Sequence, residues 1–269
     1  MDLCTEGRKA LERAGIESAA IDARILFHHA IGADPRLCRE CPTEAQKTAF
    51  SAMIDRRVRR EPVAYITGTR GFYGMDFLVD RSVLIPRADS EALVELALDI
   101  APRERPLRIA DLGSGSGCLV IAMLGNLASA SGAGFEIDSG AIACARANAQ
   151  ALGMERRVEF LQADFTAPID LGSFDIILSN PPYVPTAEAR TLMPDVREFE
   201  PWRAIDGGED GLCFYRAIAA QEFPAGAKII LEIGEGQGEA VREIFRGMRF
   251  SGGRRDLSGC ERALCFTAI

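Results

Sequence analysis

The stretch RIADLGSGSG, residues 108–117, decides the fold class of this chain. Its first half is apolar enough for a buried strand, and glycines then recur at positions 113, 115 and 117. Glycine lets the backbone turn sharply and approach a ligand closely. Ligands of parallel α/β sheets bind where such a turn follows the first strand, so we expect a binding site at this turn.

The turn does not match the sequence motif of a dinucleotide-binding loop or of a triphosphate-binding loop. The pattern G-x-G-x-x-G would need a glycine at position 118 or 120, where this chain has Cys118 and Val120. The pattern G-x-x-x-x-G-K-[ST] does not occur either. The loop therefore suits a nucleoside ligand without a pyrophosphate better than it suits NAD.

Short apolar runs alternate with helical patterns from this stretch to the end of the chain. The alternation predicts a mostly parallel, doubly wound α/β sheet of Rossmann-like type. Strands are predicted at RIADLG, GFE, VEFLQAD, FDIILSN, AKIILEIG and RALCFTAI, with helices near 117–128, 139–152, 188–198, 209–222 and 237–247.

The part of the chain before this stretch has a different character. Residues 1–62 form amphipathic patterns that end in glycines, which predicts a small N-terminal helical bundle. In residues 63–85, apolar and polar residues alternate between glycines, which predicts a β-hairpin linker. The α/β domain then spans residues 86–269, with Asp89 or Ser90 as the cap of its first helix.

Composition and charge limit the class of function. The chain has 269 residues, is 48% hydrophobic and carries a formal net charge of −8, which makes non-specific nucleic-acid binding a poor candidate. The N-terminus is charged and no apolar stretch reaches the ~18 residues of a membrane span, so neither a signal peptide nor a span is predicted. The eight scattered cysteines favour free thiols. We therefore expect a cytoplasmic protein.

Two other clusters each allow two interpretations. Cys38 and Cys41, with His28 and His29 upstream, could begin a zinc site, but no second C-x-x-C follows. We favour incidental thiols over a zinc site and expect no bound metal. The run RRVRR, residues 56–60, is interpreted as a solvated helix face in preference to a docking patch for an anionic partner.

Acidic residues follow the next two strands of the predicted sheet. Glu136 is expected to accept both hydroxyls of a ribose, whereas Asp138 is interpreted as a helix cap. Asp164 could accept a hydrogen bond from an adenine amino group or could cap a turn, and Phe165 could pack on the base. The ends of both strands, with Glu136 and with Asp164 and Phe165, belong to the predicted nucleoside site.

The stretch SNPPYVP, residues 179–185, follows the fourth predicted strand. Two successive prolines make a rigid corner without backbone donors, so Asn180 and the Pro181 carbonyl become acceptors. Two acceptors can hold both hydrogens of a planar –NH₂ group, on which Tyr183 can stack. The segment is predicted to clamp an amide-type nitrogen and position it for attack.

These residues together resemble the S-adenosylmethionine-dependent methyltransferases. DLGSGSG is similar to their methionine-binding loop, and NPPY marks the branch that methylates amino nitrogens. Further segments resemble the PrmC/HemK family of release-factor glutamine methyltransferases over nearly the whole chain. These segments are RRVRREPVAYITGTRGFYGMDFLVDRSVLIPRADSE, REFEPWRAIDGGEDGLCFYRAI, LEIGEGQGEAV and DLSGCERA.

The resemblance implies methylation of the glutamine side-chain amide in the Gly-Gly-Gln motif of class I peptide chain release factors. The implied cofactor is S-adenosylmethionine, and the expected protein is a monomer whose helical bundle docks the substrate protein, without nucleic acid or membrane. The implied cofactor residues are Asp111, Gly113, Ser114, Gly115, Ser116, Gly117, Glu136, Asp164, Phe165 and Asn180. The implied substrate residues are Asn180, Pro181, Pro182 and Tyr183, of which Asn180, Pro181 and Tyr183 are catalytic.

Two departures from the family and three rival functions remain. The segment ADSE, residues 88–91, replaces a Pro–Asp/Glu–Thr–Glu pattern, and Glu136 replaces the usual aspartate. One rival is a glutamine methyltransferase for a ribosomal protein. The second, less favoured, is a DNA amino-methyltransferase, which would need a basic cleft and base flipping. The third is a catalytically silent binding fold.

Overall fold

A computed structural model describes residues 3–35 and 41–269. The chain divides into two compact units. The first comprises Met1–Thr69 together with the short segment Met193–Phe199. The second comprises Arg70–Leu192 and Glu200–Ile269.

The first unit has the predicted helical character. Its core contains Leu11, Leu26 and the edge-to-face pair Phe27 and Phe50. The third helix begins with a capping box, because the Thr43 side chain and a glutamine in the first turn satisfy each other's backbone N–H groups. The helices are α1 (Leu3–Arg13), α2 (Ala19–Ile31), α3 (Glu44–Val58) and α4 (Val63–Thr67).

Helix α4 lies where the hairpin linker was predicted to begin. Its residues Ala64, Tyr65 and Ile66 are buried consecutively, whereas a half-buried strand would alternate. Gly68 then ends the helix in the left-handed conformation. The hairpin itself is shorter than predicted and consists of β1 (Thr69–Phe72) and β2 (Met75–Leu78).

The arginine run at the end of α3 is only partly a solvated face. Arg59 is exposed, as predicted, but Arg57 is buried. Its Nε lies 2.7 Å from Asp22 Oδ2, and its Nη1 lies 2.6 Å from Asp195 Oδ2. Asp195 belongs to the short segment Met193–Phe199, so this buried ion pair joins that segment to the helices of the first unit.

The second unit contains the predicted doubly wound sheet. In the described residues seven strands pair in the order β5-β4-β3-β6-β7-β9-β8, and β9 runs antiparallel to both of its neighbours. Strand β3 pairs with β4 on one side and with β6 on the other, which creates a topological switch point. The strands are β3 (Arg108–Leu112), β4 (Ser131–Glu136), β5 (Val158–Gln162), β6 (Ile176–Ser179), β7 (Lys228–Glu232), β8 (Arg249–Arg255) and β9 (Glu261–Thr267).

Helices cover both faces of this sheet. Apolar side chains of α5, α6 and α7 form a core on one face, and those of α10 and α11 form a core on the other. The predicted helix at 188–198 is broken into two short helices, since Pro194 starts a new one. The helices are α5 (Glu91–Ile100), α6 (Cys118–Asn126), α7 (Ser139–Ala151), α8 (Thr186–Ala189), α9 (Pro194–Arg197), α10 (Cys213–Ala219) and α11 (Gly238–Ile244).

The sequence did not predict strand β8. This strand lies at the edge of the sheet, is mostly exposed, and contains Gly252 and Gly253. It therefore lacks the apolar alternation by which strands are recognised. Within residues 3–35 and 41–269, no helix has the length and apolar character that crossing a membrane requires.

Candidate active site

A cavity of about 500 Å³ opens at the carboxyl ends of the central strands. Its size is within the range of small-molecule sites. Every loop that was predicted to bind the nucleoside contributes to its wall. The lining includes Gly113, Ser114, Gly115, Ser116, Glu136, Asp164, Phe165, Asn180 and Pro182.

Glycine occupies positions 115 and 117 of the loop after β3 for two different physical reasons. Gly115 has a φ of +50°, and a Cβ there would meet no atom within 4 Å, so this backbone faces open space. A Cβ on Gly117 would lie 2.8 Å from the Phe160 ring, so this glycine allows close packing. Directly before Gly115, the buried Ser114 hydroxyl has no hydrogen-bond partner in the described residues and lines the cavity. The loop therefore offers a close backbone approach and an unused hydroxyl to a ligand.

Asp111 lies deeper than the rest of the loop. It is fully buried, and its Oδ2 accepts a hydrogen bond from the Val120 N–H at 3.3 Å in the first turn of α6. Burial raises the pKa of its carboxyl to about 7. Asp111 thus connects the loop to the helix that follows it.

Glu136 is the best fixed carboxylate of the cavity. Its Oε2 accepts from the Gly115 N–H at 3.0 Å, and its Oε1 accepts from the N–H groups of Ile137 and Asp138 at 2.8 and 3.0 Å. A carboxylate has about four acceptor sites, so one remains for a ligand hydroxyl. Asp138 caps α7 as predicted, because its Oδ1 accepts from the Ala141 N–H at 3.0 Å.

Asp164 and Phe165 lie side by side at the cavity after β5. Asp164 caps a turn, which was the predicted alternative to a contact with adenine. Its Oδ1 accepts from the N–H and hydroxyl of Thr166. These hydrogen bonds lower the pKa of its carboxyl. Phe165 is buried, and its ring lies 3.2 Å from where a Cβ on Gly113 would be. The ring therefore supports the glycine loop from within.

The corner after β6 presents only part of the predicted clamp to the cavity. Asn180 and Pro182 line the cavity, whereas Pro181 is buried. The Tyr183 ring packs against the core, and its hydroxyl donates to Glu232 Oε1 at 3.3 Å. Burial raises the pKa of the Tyr183 hydroxyl. In this arrangement Tyr183 is turned toward the protein interior.

Four further residues support this corner, and the sequence patterns did not identify any of them in this role. Asn180 Nδ2 donates to Ser90 Oγ at 3.1 Å, so the predicted cap at Ser90 is replaced by a contact with the clamp. Gln237 Nε2 donates to the Tyr183 carbonyl at 2.9 Å. A Cβ on Gly207 would lie 2.8 Å from the Pro182 carbonyl, which leaves room only for glycine.

Glu232 completes this support at the end of β7. Its side chain is buried, and burial raises the pKa of its carboxyl to about 7. In the sequence, Ser90 was identified only as a candidate helix cap, and Glu232 and Gln237 only as part of the family segment LEIGEGQGEAV. Their contacts join positions far apart in the chain, so periodicity could not reveal them.

The possible zinc cluster cannot be assembled from the described residues. Cys38 lies outside them, and Cys41 is exposed. Within residues 3–35 and 41–269, no group of three or more His, Cys, Asp or Glu side chains could hold a metal ion.

Comparisons with known proteins match both units of the chain. Residues 2–68 match the PrmC N-terminal domain, and residues 90–195 match the methyltransferase small domain. The chain is 42% identical to a release factor glutamine methyltransferase of Rhodospirillum rubrum, over 97% of this chain and 83% of that protein. It is 38% identical to the one of Bradyrhizobium diazoefficiens, over 94% and 90% of the two chains. With the one of Geobacter sulfurreducens the identity is 40%, over 97% and 89%.

Proposed function

The chain belongs to the release factor glutamine methyltransferase family, and we propose that it methylates the glutamine of the Gly-Gly-Gln motif in class I peptide chain release factors. The methyl group would pass from the sulfur of S-adenosylmethionine to the side-chain amide nitrogen, which loses one proton to water, and S-adenosylhomocysteine is the leaving group. The observation that carries the proposal is one cavity that joins the nucleoside residues, above all Glu136, to Asn180 of the clamp.

The residues of the cavity fit S-adenosylmethionine. Glu136, with one acceptor site left, would hold a ribose hydroxyl, and the backbone at Gly115 with the free Ser114 hydroxyl would hold the methionine part. Asp164 and Phe165 would flank the adenine. When bound, the cofactor supplies an electrophilic methyl group on a positively charged sulfur.

The protein's own task is to hold a weakly nucleophilic nitrogen in one orientation. Asn180 Oδ1 and the Pro181 carbonyl would accept the two hydrogens of the glutamine amide, and Pro182 would limit its movement. Such positioning accelerates a reaction by fixing the angle of attack and excluding water. Tyr183, with its hydroxyl on Glu232, would keep the corner in place from behind.

The helical first unit is proposed to dock the release factor. We further propose a monomer that works in the cytoplasm without binding nucleic acid directly. The family membership favours a release factor over a ribosomal protein, and the acidic composition disfavours DNA.

The decisive experiment incubates the purified chain with labelled S-adenosylmethionine and, separately, a class I release factor, a ribosomal protein and DNA. We expect label on the release factor alone, located by mass spectrometry on the glutamine of Gly-Gly-Gln. A release factor with that glutamine replaced by alanine is the matched control. Label on the ribosomal protein or DNA instead would contradict the proposal. A thermal melt with and without cofactor tests the alternative of a silent binding fold. In that case S-adenosylmethionine would leave the melting temperature unchanged.

A further inference from the structure

Glu232 is a buried carboxyl directly behind the clamp, where so far it has served only to anchor the Tyr183 hydroxyl. Its side chain is 1% exposed, and no ion pair joins it to a cation among residues 3–35 and 41–269. The nearby Arg262 is committed to Asp256 at 3.0 Å and to the Ile233 carbonyl at 3.2 Å. Burying a carboxyl without a direct cation is costly, so a local function for it is expected.

Ser90 connects this carboxyl to the clamp. The Ser90 hydroxyl accepts a hydrogen bond from Asn180 Nδ2 at 3.1 Å and does not cap helix α5. A hydroxyl carries one hydrogen to donate, and we assign it to Glu232 Oε2, which is buried and has no other hydrogen-bond partner in the described residues. Donation by Ser90 helps to lower the pKa of Glu232 against the effect of burial.

The direction of these hydrogen bonds determines which atom of Asn180 faces the cavity. An ionised carboxylate only accepts, so the Ser90 hydrogen points at Glu232, and Ser90 in turn accepts from the Asn180 –NH₂ group. The Asn180 Oδ1 is then left for the cavity as an acceptor. If Ser90 donated to Asn180 instead, the amide could turn over and present a donor.

We infer that Ser90 and Glu232 are positioning residues that fix the direction of the Asn180 amide and thereby select a glutamine amide over a carboxylate. The inference rests on the proposed function, because it concerns how the same clamp recognises its substrate. An Oδ1 acceptor fits the –NH₂ group of glutamine and repels the oxygens of glutamate. Leaving buried polar groups unpaired in this way gives stronger discrimination than differences in size.

The same carboxyl also holds the second clamp side chain. Glu232 Oε1 accepts from the Tyr183 hydroxyl, while the Glu232 backbone carbonyl accepts from the Tyr215 hydroxyl at 2.9 Å. The groups acting on the Glu232 carboxyl include Ser90, Tyr183, the Arg262 cation and the Asp89 carboxylate, and the Cys118 thiol and Tyr215 hydroxyl also lie within reach of its charge. Arg262 favours the ionised form of Glu232, whereas Asp89 opposes it.

A pH dependence of turnover follows from this arrangement. Burial raises the pKa of Glu232 to about 7, and only its ionised form imposes the required direction. We expect kcat to fall as the pH decreases through this value, because a protonated Glu232 can donate to Ser90. Glu232→Gln should lower kcat on the order of tenfold and remove this limb of the profile, since the amide does not titrate.

The test compares Ser90→Ala and Ser90→Thr with the wild type, and Ser173→Ala is the matched control at an exposed serine outside the site. Ser90→Ala should lower kcat on the order of tenfold without changing the affinity for S-adenosylmethionine, and it should lower the melting temperature by only a few degrees, because it leaves an Asn180 hydrogen unpaired beside the buried Ser90 position. Ser90→Thr, which keeps the hydroxyl, should restore the rate. Ser90→Ala should also improve inhibition by a release factor that carries Gly-Gly-Glu.

The possible outcomes separate the two proposals. A wild-type protein that does not methylate release factor overturns the proposed function and this inference with it. A wild-type protein that does, together with a Ser90→Ala variant of unchanged kcat and selectivity, overturns this inference alone. A loss in Ser90→Ala that Ser90→Thr does not restore, or that disappears when turnover is measured well below the melting temperature of the variant, also overturns it. If Glu232→Gln fails to fold, the two Ser90 variants decide.

Discussion

The loop after β3 and the corner after β6 form one cavity, but they are held in place in opposite ways. The loop is fixed by backbone groups at the ends of two adjacent strands, because Glu136 accepts from the N–H groups of Gly115, Ile137 and Asp138. The corner is held by side chains and glycines from distant segments, including Ser90 and Gln237. A cofactor site can thus be built locally, whereas a site that orients a weak nucleophile depends on long-range support.

The largest expected effect tests whether the corner serves chemistry and the loop serves binding. Asn180→Ala should lower kcat on the order of 10²–10³-fold, because it removes an acceptor from the reacting amide. Stabilisation by S-adenosylmethionine in a melt should change little. Full turnover in this variant would remove the clamp from the mechanism.

A pair of glycine substitutions compares the two regions directly. A Cβ on Gly211 would lie 2.3 Å from the Tyr183 carbonyl at a φ of +73°, so Gly211→Ala should lower the free energy of unfolding by about 2–5 kcal/mol. Gly115→Ala, in open space, should cost only about 1–2 kcal/mol. Denaturant unfolding measures both values.

The same two variants should also affect different kinetic constants. Gly211→Ala is expected to reduce kcat by displacing the clamp, whereas Gly115→Ala should raise the KM for S-adenosylmethionine because its methyl group occupies cofactor space. Equal effects of the two variants on both constants would show that the two regions do not act separately.

The loop is tested by Glu136→Gln. Replacing the carboxylate loses charge-assisted hydrogen bonds, so the affinity for S-adenosylmethionine should weaken by about 10–100-fold. Turnover at saturating cofactor should be largely unchanged. Glu159→Gln, on the neighbouring strand and exposed, is the matched control in the same calorimetric titration. Unchanged affinity in Glu136→Gln would place the ribose elsewhere.

The smallest effect is expected for the backbone support of the corner. Gln237→Leu removes the hydrogen bond to the Tyr183 carbonyl, and kcat should fall by roughly 2–10-fold, the equivalent of one hydrogen bond. The KM for S-adenosylmethionine should remain at its wild-type value. If that KM rises in step with the loss of kcat, Gln237 supports the whole cavity and not the corner.

Local patterns predicted the parts of the site that local contacts build. The glycines of the loop, the position of Glu136 and the Asp138 cap follow from strand ends and helix starts, where short-range rules apply. Patterns failed where neighbours in space override propensity. Val63–Thr67 became a helix, and the exposed edge strand Arg249–Arg255 was not predicted.

The sequence alone determined the doubly wound sheet, its ligand loop and the NPPY corner, because each depends on residues close together in the chain. Tertiary structure alone decided how the corner is oriented. It placed Ser90 and Glu232 behind Asn180 and Tyr183, and it turned the Tyr183 hydroxyl inward. Hydrogen-bond direction depends on which donors and acceptors meet in space, and only the folded chain brings positions 90, 180 and 232 together.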